Sequence, residues 1–231
     1  SNPGNVSSLS ATFWESRYLS DDPYGESSAQ SLGDRFLYVP DYALGRLVET
    51  PVEIASALDD FVTFDGTLAM NTATVLGYDF LTDQTADQVA TLTAAGLAVD
   101  GDLADGIDDT QNDGPWDRQD AVDKLVPPGG ADAADLVAFN AHFDHYRALP
   151  AAGDKIPGFD DNVETSAILA AVPQELLKGS VIFSAGCHSG LSVSDVQIGA
   201  TSLDWAQTAS QNGALYVGNT GFGYGDTEVI A

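Results

Sequence analysis

Cysteine and positive charge are what this sequence has least of. One cysteine among 231 residues excludes an internal disulfide framework and a cysteine-based structural zinc site. Eight lysine and arginine residues stand against 35 aspartate and glutamate residues, and phosphate binding needs clustered positive charge. We therefore expect no nucleic-acid partner. No apolar run approaches the roughly 18 residues that a membrane-spanning helix needs, so we expect no membrane span.

The acidic excess gives a net charge of −27 at pH 7, and this charge has two interpretations. The protein could be solvated for a salty environment, or it could be secreted and bind calcium through its aspartates. In either case salt or divalent ions would relieve the self-repulsion of the folded chain. We expect an extracellular or cell-surface location, with a halophilic setting as the alternative.

Length and composition favour one large domain. A chain of 231 residues, 44% of them apolar, can bury a full hydrophobic core. Residues 1–35 are rich in Ser, Asp and Gly and predict an extended N-terminal segment. Residues 36–231 are expected to form a single domain.

Short apolar runs alternate with helical patterns along that domain. Strands are predicted at 36–39, 72–77, 136–139, 215–217 and in the apolar run between Gly179 and Gly186. Helical patterns occupy 83–98, 116–126, 165–177 and 203–211, and 101–114 predicts a polar, acidic loop. This alternation is typical of βαβ units. The predicted fold class is α/β, with a mostly parallel sheet covered on both faces.

One helix start is marked by three residues. Thr50 is a good N-cap residue, Pro51 suits the first helical position, and Glu53 lies three residues after the cap. This spacing predicts a capping box, in which the Thr and Glu side chains each accept a hydrogen bond from the backbone N–H of the other residue.

The single cysteine, Cys187, lies just past the buried strand that ends before Gly186. Residues in such positions lie in the crevice where open α/β sheets bind ligands. His142 and His145 follow the strand at 136–139, and His188 is adjacent to the cysteine. A nearby imidazole raises the thiolate fraction of a cysteine and later protonates the leaving amine. The pattern predicts a nucleophilic cysteine, with a buried structural thiol as the alternative.

Two apolar strands of this chain are thus followed by a reactive side chain, His142 after the first and Cys187 after the second. This pattern resembles the caspase-like cysteine peptidases. The resemblance extends over roughly residues 36–225. It implies a caspase-like three-layer sandwich with a mostly parallel central sheet, a peptide or protein substrate, and a Cys187/His142 dyad. The stretches similar to the gingipain-type branch are VPDYALGRLVETPVE (39–53), VLGYDF (75–80), FNAH (139–142) and SAGCHSG (184–190).

The sequence departs from that family beside both members of the predicted dyad. The family commonly has Gly after its histidine, where this chain has Phe143, and often Ala before its cysteine, where this chain has Gly186. Phe143 could crowd the oxyanion region or reshape substrate access, which leaves His145 as an alternative base. Amides around Gly186 and Cys187 are predicted to bind the developing oxyanion. His188 is predicted to tune the thiolate or to be exposed.

An acidic residue often orients the histidine in such sites. Asp79, just after the strand at 72–77, is the predicted residue. A solvated turn aspartate is the alternative interpretation, and Asp144 is a weaker competitor. The glycine-rich stretch 218–226 is predicted to form a wall of the substrate pocket.

The acidic loop concentrates carboxylates and glycines, a combination that suits calcium. The spacing does not match an EF-hand, and a solvated loop is the alternative. Gingipain-type domains use structural calcium, so the resemblance adds to the prediction of a structural calcium site; no organic cofactor is expected. The predicted ligands are Asp100, Asp102, Asp105, Asp108 and Asp109.

These patterns predict a cysteine endopeptidase that acts through an acyl-enzyme intermediate. A preference for a basic residue before the scissile bond is inferred from the acidic surface and the family. The alternatives are a catalytically silent caspase-like domain that acts as a calcium-dependent binding or surface module, and a processed fragment that needs a partner. Few residues follow the last predicted strand, so a second chain or a C-terminal domain after Ala231 could complete the sheet.

Overall fold

Five parallel strands form the centre of this computed structural model, which describes residues 21–47, 50–108, 114–152, 162–171, 176–192 and 203–223. The strands are β3 (Thr72–Leu76), β4 (Ala98–Leu103), β7 (Leu136–Phe139), β11 (Val181–Ser184) and β12 (Leu215–Gly218). They pair in the order β12-β11-β7-β3-β4, and each neighbouring pair is parallel. The predicted α/β class with a parallel sheet is confirmed.

Helices pack on both faces of this sheet, and alternate strand residues point to these opposite faces. On β11 and β12, Phe183, Leu215 and Val217 remain exposed. Val75 and Ala138 pack with Val89 on one face, whereas Leu76 and Phe139 belong to the larger core on the other. The result is a three-layer sandwich. The helices of the described residues are α1 (Asp22–Gly25), α2 (Pro51–Thr63), α3 (Thr82–Ala94), α4 (Arg118–Leu125), α5 (Thr165–Ala171) and α6 (Trp205–Gln211).

Smaller antiparallel pieces flank the central sheet. A three-stranded sheet with the order β10-β9-β8 follows β7 in the chain, and two short hairpins join β1 to β2 and β5 to β6. Single 3₁₀ turns lie at Asp79–Leu81 and Pro128–Gly130. The strands are β1 (Gln30–Leu32), β2 (Arg35–Leu37), β5 (Ile107–Asp108), β6 (Gly114–Pro115), β8 (His142–Asp144), β9 (Arg147–Leu149) and β10 (Val163–Glu164).

Two sequence-based assignments at the edges of the fold differ from the structure. The strand predicted at 36–39 is present as β2, but it is not part of the central sheet, since β2 pairs only with β1 among the described strands. The loop predicted at 101–114 begins inside β4, which is the edge strand of the sheet. β4 contains Asp100, Gly101 and Asp102, residue types that are depleted in strands. An edge strand tolerates them because one side of it faces solvent.

The predicted division into residues 1–35 and 36–231 stays a prediction, although β1 and β2 pair across residue 35. Among the described helices, none is both long and apolar enough to cross a membrane.

The predicted capping box at the start of α2 is confirmed, and it connects this helix to α6. Thr50 and Glu53 exchange the two expected hydrogen bonds. The Glu53 carboxylate also accepts hydrogen bonds from Nε2 of Gln211 at 2.6 Å and from Nε2 of Gln207 at 3.2 Å. Burial alone would raise the pKa of Glu53, but the hydrogen bonds from Gln211, Thr50 and Gln207 lower it to about 2.

This lowered pKa predicts an acid-sensitive contact. The Glu53 carboxylate stabilises the fold above its unfolded pKa of about 4.3, and that contribution is lost as the pH falls towards the folded value. We expect the free energy of unfolding of the natural protein to fall more steeply below pH 4.5 than that of Glu53→Gln. Urea unfolding of both proteins between pH 2 and 7 measures the difference; equal slopes would contradict the assignment.

Candidate active site

The carboxyl ends of β3, β7 and β11 meet at one edge of the sheet because these strands are parallel neighbours. The order in which strands are added to the sheet reverses between β3 and β7. β4 pairs with one side of β3, and the next strand of the sheet, β7, pairs with its other side. Open α/β sheets bind ligands at such a reversal, and a cleft of about 100 Å³ lies at this edge. Its lining comes from the segments after β3 (Phe80, Leu81, Gln84), β7 (Asn140, Ala141, His142), β11 (Ala185, Gly186, Cys187) and β12 (Gly223).

Cys187 and His142 therefore line the same cleft. Cys187 lies in the turn after β11 and is half-buried, and its Sγ lies 3.5 Å from the backbone oxygen of Gly223, to which it donates. His142 is the first residue of β8 and is exposed. The thiol is thus not sealed in the core, and the imidazole borders the same space.

Two aromatic rings that follow β3 pack against the imidazole of His142. The ring centroids of Tyr78 and Phe80 lie 5.3 Å and 5.0 Å from that of His142. Tyr78 is fully buried, and its hydroxyl donates to the backbone oxygen of Pro150 at 3.0 Å. The imidazole therefore packs against a fixed ring. Neither aromatic is among the predicted site residues, although the two flank Asp79 directly after a strand.

Asp79 itself lies in the 3₁₀ turn Asp79–Leu81, at the predicted edge of the sheet. Its side chain lies outside what the structure describes. Its role in orienting His142 stays a prediction.

His145 occupies a different environment from His142. It is 1% exposed, its Nδ1 lies 2.8 Å from Oδ1 of Asp144, and its backbone N–H donates to the same oxygen at 2.7 Å. Burial alone would raise the pKa of Asp144, but the hydrogen bonds from His145 lower it below its usual range. The described lining of the cleft does not include His145. Asp144 is thus paired with His145, and the structure gives the alternative base no place beside Cys187.

Phe143 does not crowd the cleft, and this expectation is corrected. Residues alternate along β8, so His142 is exposed whereas Phe143 is buried. Its ring packs against Phe139 and Trp205 in the core, with centroid separations of 5.0 Å and 5.4 Å. A Cβ atom on Gly186 would lie 2.3 Å from this ring. Glycine before the cysteine therefore makes room for a large residue after the histidine.

His188 is buried, so the expectation that it is exposed is wrong. Its Nδ1 lies 3.3 Å from the backbone oxygen of Thr220, and its ring packs on Phe222 with centroids 4.5 Å apart. Its backbone N–H donates to the oxygen of Gly221 at 2.6 Å. His188 thus connects the Cys187 turn to the segment after β12.

That segment borders the cleft through Gly223, as the sequence predicts for part of 218–226. A Cβ atom on Gly223 would lie 1.9 Å from the backbone oxygen of Ala185, so the two backbones touch. Residues 224–226 lie outside what the structure describes. Only glycine permits this close approach.

The amide of Gly186 is not available for an oxyanion. Its N–H donates to Oγ of Ser184 at 3.1 Å, which corrects the prediction for this residue. Within the described chain, the N–H of Cys187 has no acceptor. Of the two predicted amides, the cysteine's own is the one that remains.

The predicted calcium ligands lie away from the cleft, on and after the edge strand β4. Nζ of Lys124 lies 2.6 Å from Oδ2 of Asp100 and 3.2 Å from Oδ2 of Asp102. A calcium ion at these two carboxylates would have to displace that ammonium group. Asp105 accepts a hydrogen bond from the backbone N–H of Ile107 at 2.9 Å.

Of the other two predicted ligands, Asp108 is 1% exposed, and Asp109 lies outside the described residues. Within the described ranges, no group of three or more His, Cys, Asp or Glu side chains is arranged to hold a metal ion. The calcium site stays a prediction.

No protein-family model, curated protein or solved structure matches this chain.

Proposed function

We propose that this protein is a cysteine endopeptidase, with Cys187 as the nucleophile and His142 as the general acid and base. The observation that carries the proposal is that both side chains line one cleft at the carboxyl edge of the parallel sheet. The resemblance to gingipain-type peptidases is a second support. Fold alone would carry no function, so the proposal rests on the site.

The proposed reaction has two halves. First, the sulfur of Cys187 attacks the scissile carbonyl carbon as its proton passes to His142, which then protonates the leaving amine as the C–N bond breaks. A thioester remains on Cys187. A water molecule that loses a proton to His142 then attacks this thioester, and His142 returns the proton to the sulfur. The neighbouring imidazole is needed because a free thiol is only a few per cent ionised at pH 7.

Two backbone amides support oxyanion binding. One is the N–H of Cys187. The other is the N–H of Phe143. In the β8–β9 hairpin Asp144 pairs with Arg147 across a two-residue loop, and Phe143 pairs with Ala148. Successive pairs of an antiparallel ladder alternate between hydrogen-bonded and non-hydrogen-bonded, and the pair that closes a two-residue loop is of the hydrogen-bonded kind, so we infer that the N–H of Phe143 points away from β9. The contact between Gly186 and the Phe143 ring keeps this amide beside the Cys187 turn.

The acidic surface supports the choice of substrate. A net charge of −27 attracts cationic peptides and raises their local concentration. We therefore retain the proposal of a basic residue before the scissile bond.

A mixed peptide library analysed by mass spectrometry tests the proposed function. We expect cleavage, mainly after Arg or Lys, that stops once iodoacetamide has alkylated the protein. Because the chain has one cysteine, a single added alkyl group reports on Cys187 alone. No cleavage with or without calcium would overturn the peptidase proposal. Calcium-dependent capture of uncut peptides would then favour the binding module.

A further inference from the structure

Asn219 is the first residue after β12, and its backbone and side chain both bond to the segment that carries Cys187. Its Nδ2 donates to the backbone oxygen of Ala185 at 2.5 Å. Its backbone N–H donates to Oγ of Ser189 at 3.2 Å, and its oxygen accepts from the N–H of Gly190 at 2.8 Å. These contacts lie on both sides of Cys187 in the chain.

The side chain of Asn219 donates a hydrogen bond just beyond the point where the pairing of β11 and β12 ends. β11 and β12 pair in parallel up to Ser184 and Gly218. Beyond that point the Cys187 turn leaves the sheet, and the oxygen of Ala185 needs a donor from elsewhere. The carboxamide supplies it, so the start of the turn stays at a defined position beside β12.

Close backbone packing between the end of the Cys187 turn and β12 restricts the position of the turn. A Cβ atom on Gly190 would lie 2.3 Å from the backbone oxygen of Gly218, and one on Gly218 would lie 2.7 Å from Oγ of Ser189. The end of the turn is therefore packed backbone to backbone against β12, while Asn219 holds its beginning.

We propose that Asn219 is a positioning residue that fixes the Cys187 sulfur relative to His142. The inference rests on the proposed peptidase function. Asn219 is not part of the described cleft lining, so we expect it to act on the reaction through the turn. Small displacements of a nucleophile lower the rate of the chemical step strongly.

The variants Asn219→Ala and Asn219→Asp remove the side-chain donor, the first without added charge. We expect kcat to fall roughly 10- to 100-fold in both, with KM changed by less than about twofold, because the substrate still meets an unchanged lining. Asn212→Asp is the matched control. Nδ2 of Asn212 donates to the backbone oxygen of Thr208 at 2.7 Å, so this variant loses the same kind of bond on α6.

Hydrogen exchange of the amides of residues 185–190 gives a readout that needs no activity. We expect faster exchange there in both Asn219 variants, at a temperature where all proteins are folded, and not in Asn212→Asp. Wild-type kcat in both Asn219 variants would overturn the inference, as would unchanged exchange. An inactive natural protein would refute the peptidase proposal instead, and exchange alone would then decide whether Asn219 holds the turn.

Discussion

Replacing Cys187 by alanine is expected to reduce peptide hydrolysis to background, a fall of roughly 10⁴-fold or more. Alanine has no atom that can form the thioester, and the chain contains no second thiol. Initial rates with a peptide cut by the natural protein measure the loss. Mass spectrometry of the protein during turnover should show the acyl-enzyme in the natural protein and not in the variant.

The fold should survive this replacement. Cys187 is half-buried, and within the part of the chain that the structure describes its sulfur makes one long hydrogen bond, to the oxygen of Gly223 at 3.5 Å. A surface or half-buried substitution of this kind changes the free energy of unfolding by about 0.5 kcal/mol. Equal melting temperatures of the two proteins are therefore the control. A Cys187→Ala variant that still cleaves the peptide at the natural rate would end the assignment of the nucleophile.

Replacing His142 by glutamine is expected to lower kcat/KM by roughly 10²- to 10⁴-fold, the usual contribution of a positioned general acid and base. Glutamine can occupy the exposed position beside Phe80 and Tyr78, but it cannot exchange a proton with the sulfur. Iodoacetamide should also alkylate Cys187 more slowly in this variant, because glutamine cannot accept the proton that the thiol loses.

His145→Gln is the matched control, and we expect it to lose stability but to keep activity. His145 is buried and bonded to Asp144, so its replacement removes the side-chain partner of a half-buried carboxylate and lowers stability by about 1 kcal/mol. Activity below the melting temperature should be unchanged. If His145→Gln were inactive and His142→Gln active, the two histidines would exchange roles.

Local sequence signals were sufficient for elements that are specified by contacts between residues close in the sequence. Thr50 and Glu53 specify a helix start through contacts three residues apart, and the structure contains that capping box. The apolar run that became β7 is buried on both faces, which makes such a run recognisable without knowing its neighbours. β11 is buried on one face and leaves Phe183 37% exposed on the other. β4 was missed because an edge strand can hold aspartates that a central strand would exclude.

The candidate site also has features that could be predicted from the sequence and features that could not. A cysteine and a histidine after two apolar strands could be paired from the sequence, because parallel strands end at one edge. The β8–β9 hairpin could not be found, since its loop, His145 and Tyr146, has none of the Gly or Asn residues that mark such turns. Without that hairpin, nothing indicated that Phe143 points into the core while His142 remains exposed.

The sequence by itself determined that an α/β sheet brings one sulfur and one imidazole to a common edge, because the ends of the strands follow from local patterns of apolar residues. Only the tertiary structure decided which histidine lies beside Cys187, that Gly186 accommodates the Phe143 ring, and that Asn219 holds the turn. Those outcomes depend on contacts between residues tens of positions apart, and each is set by the packing of one backbone against another.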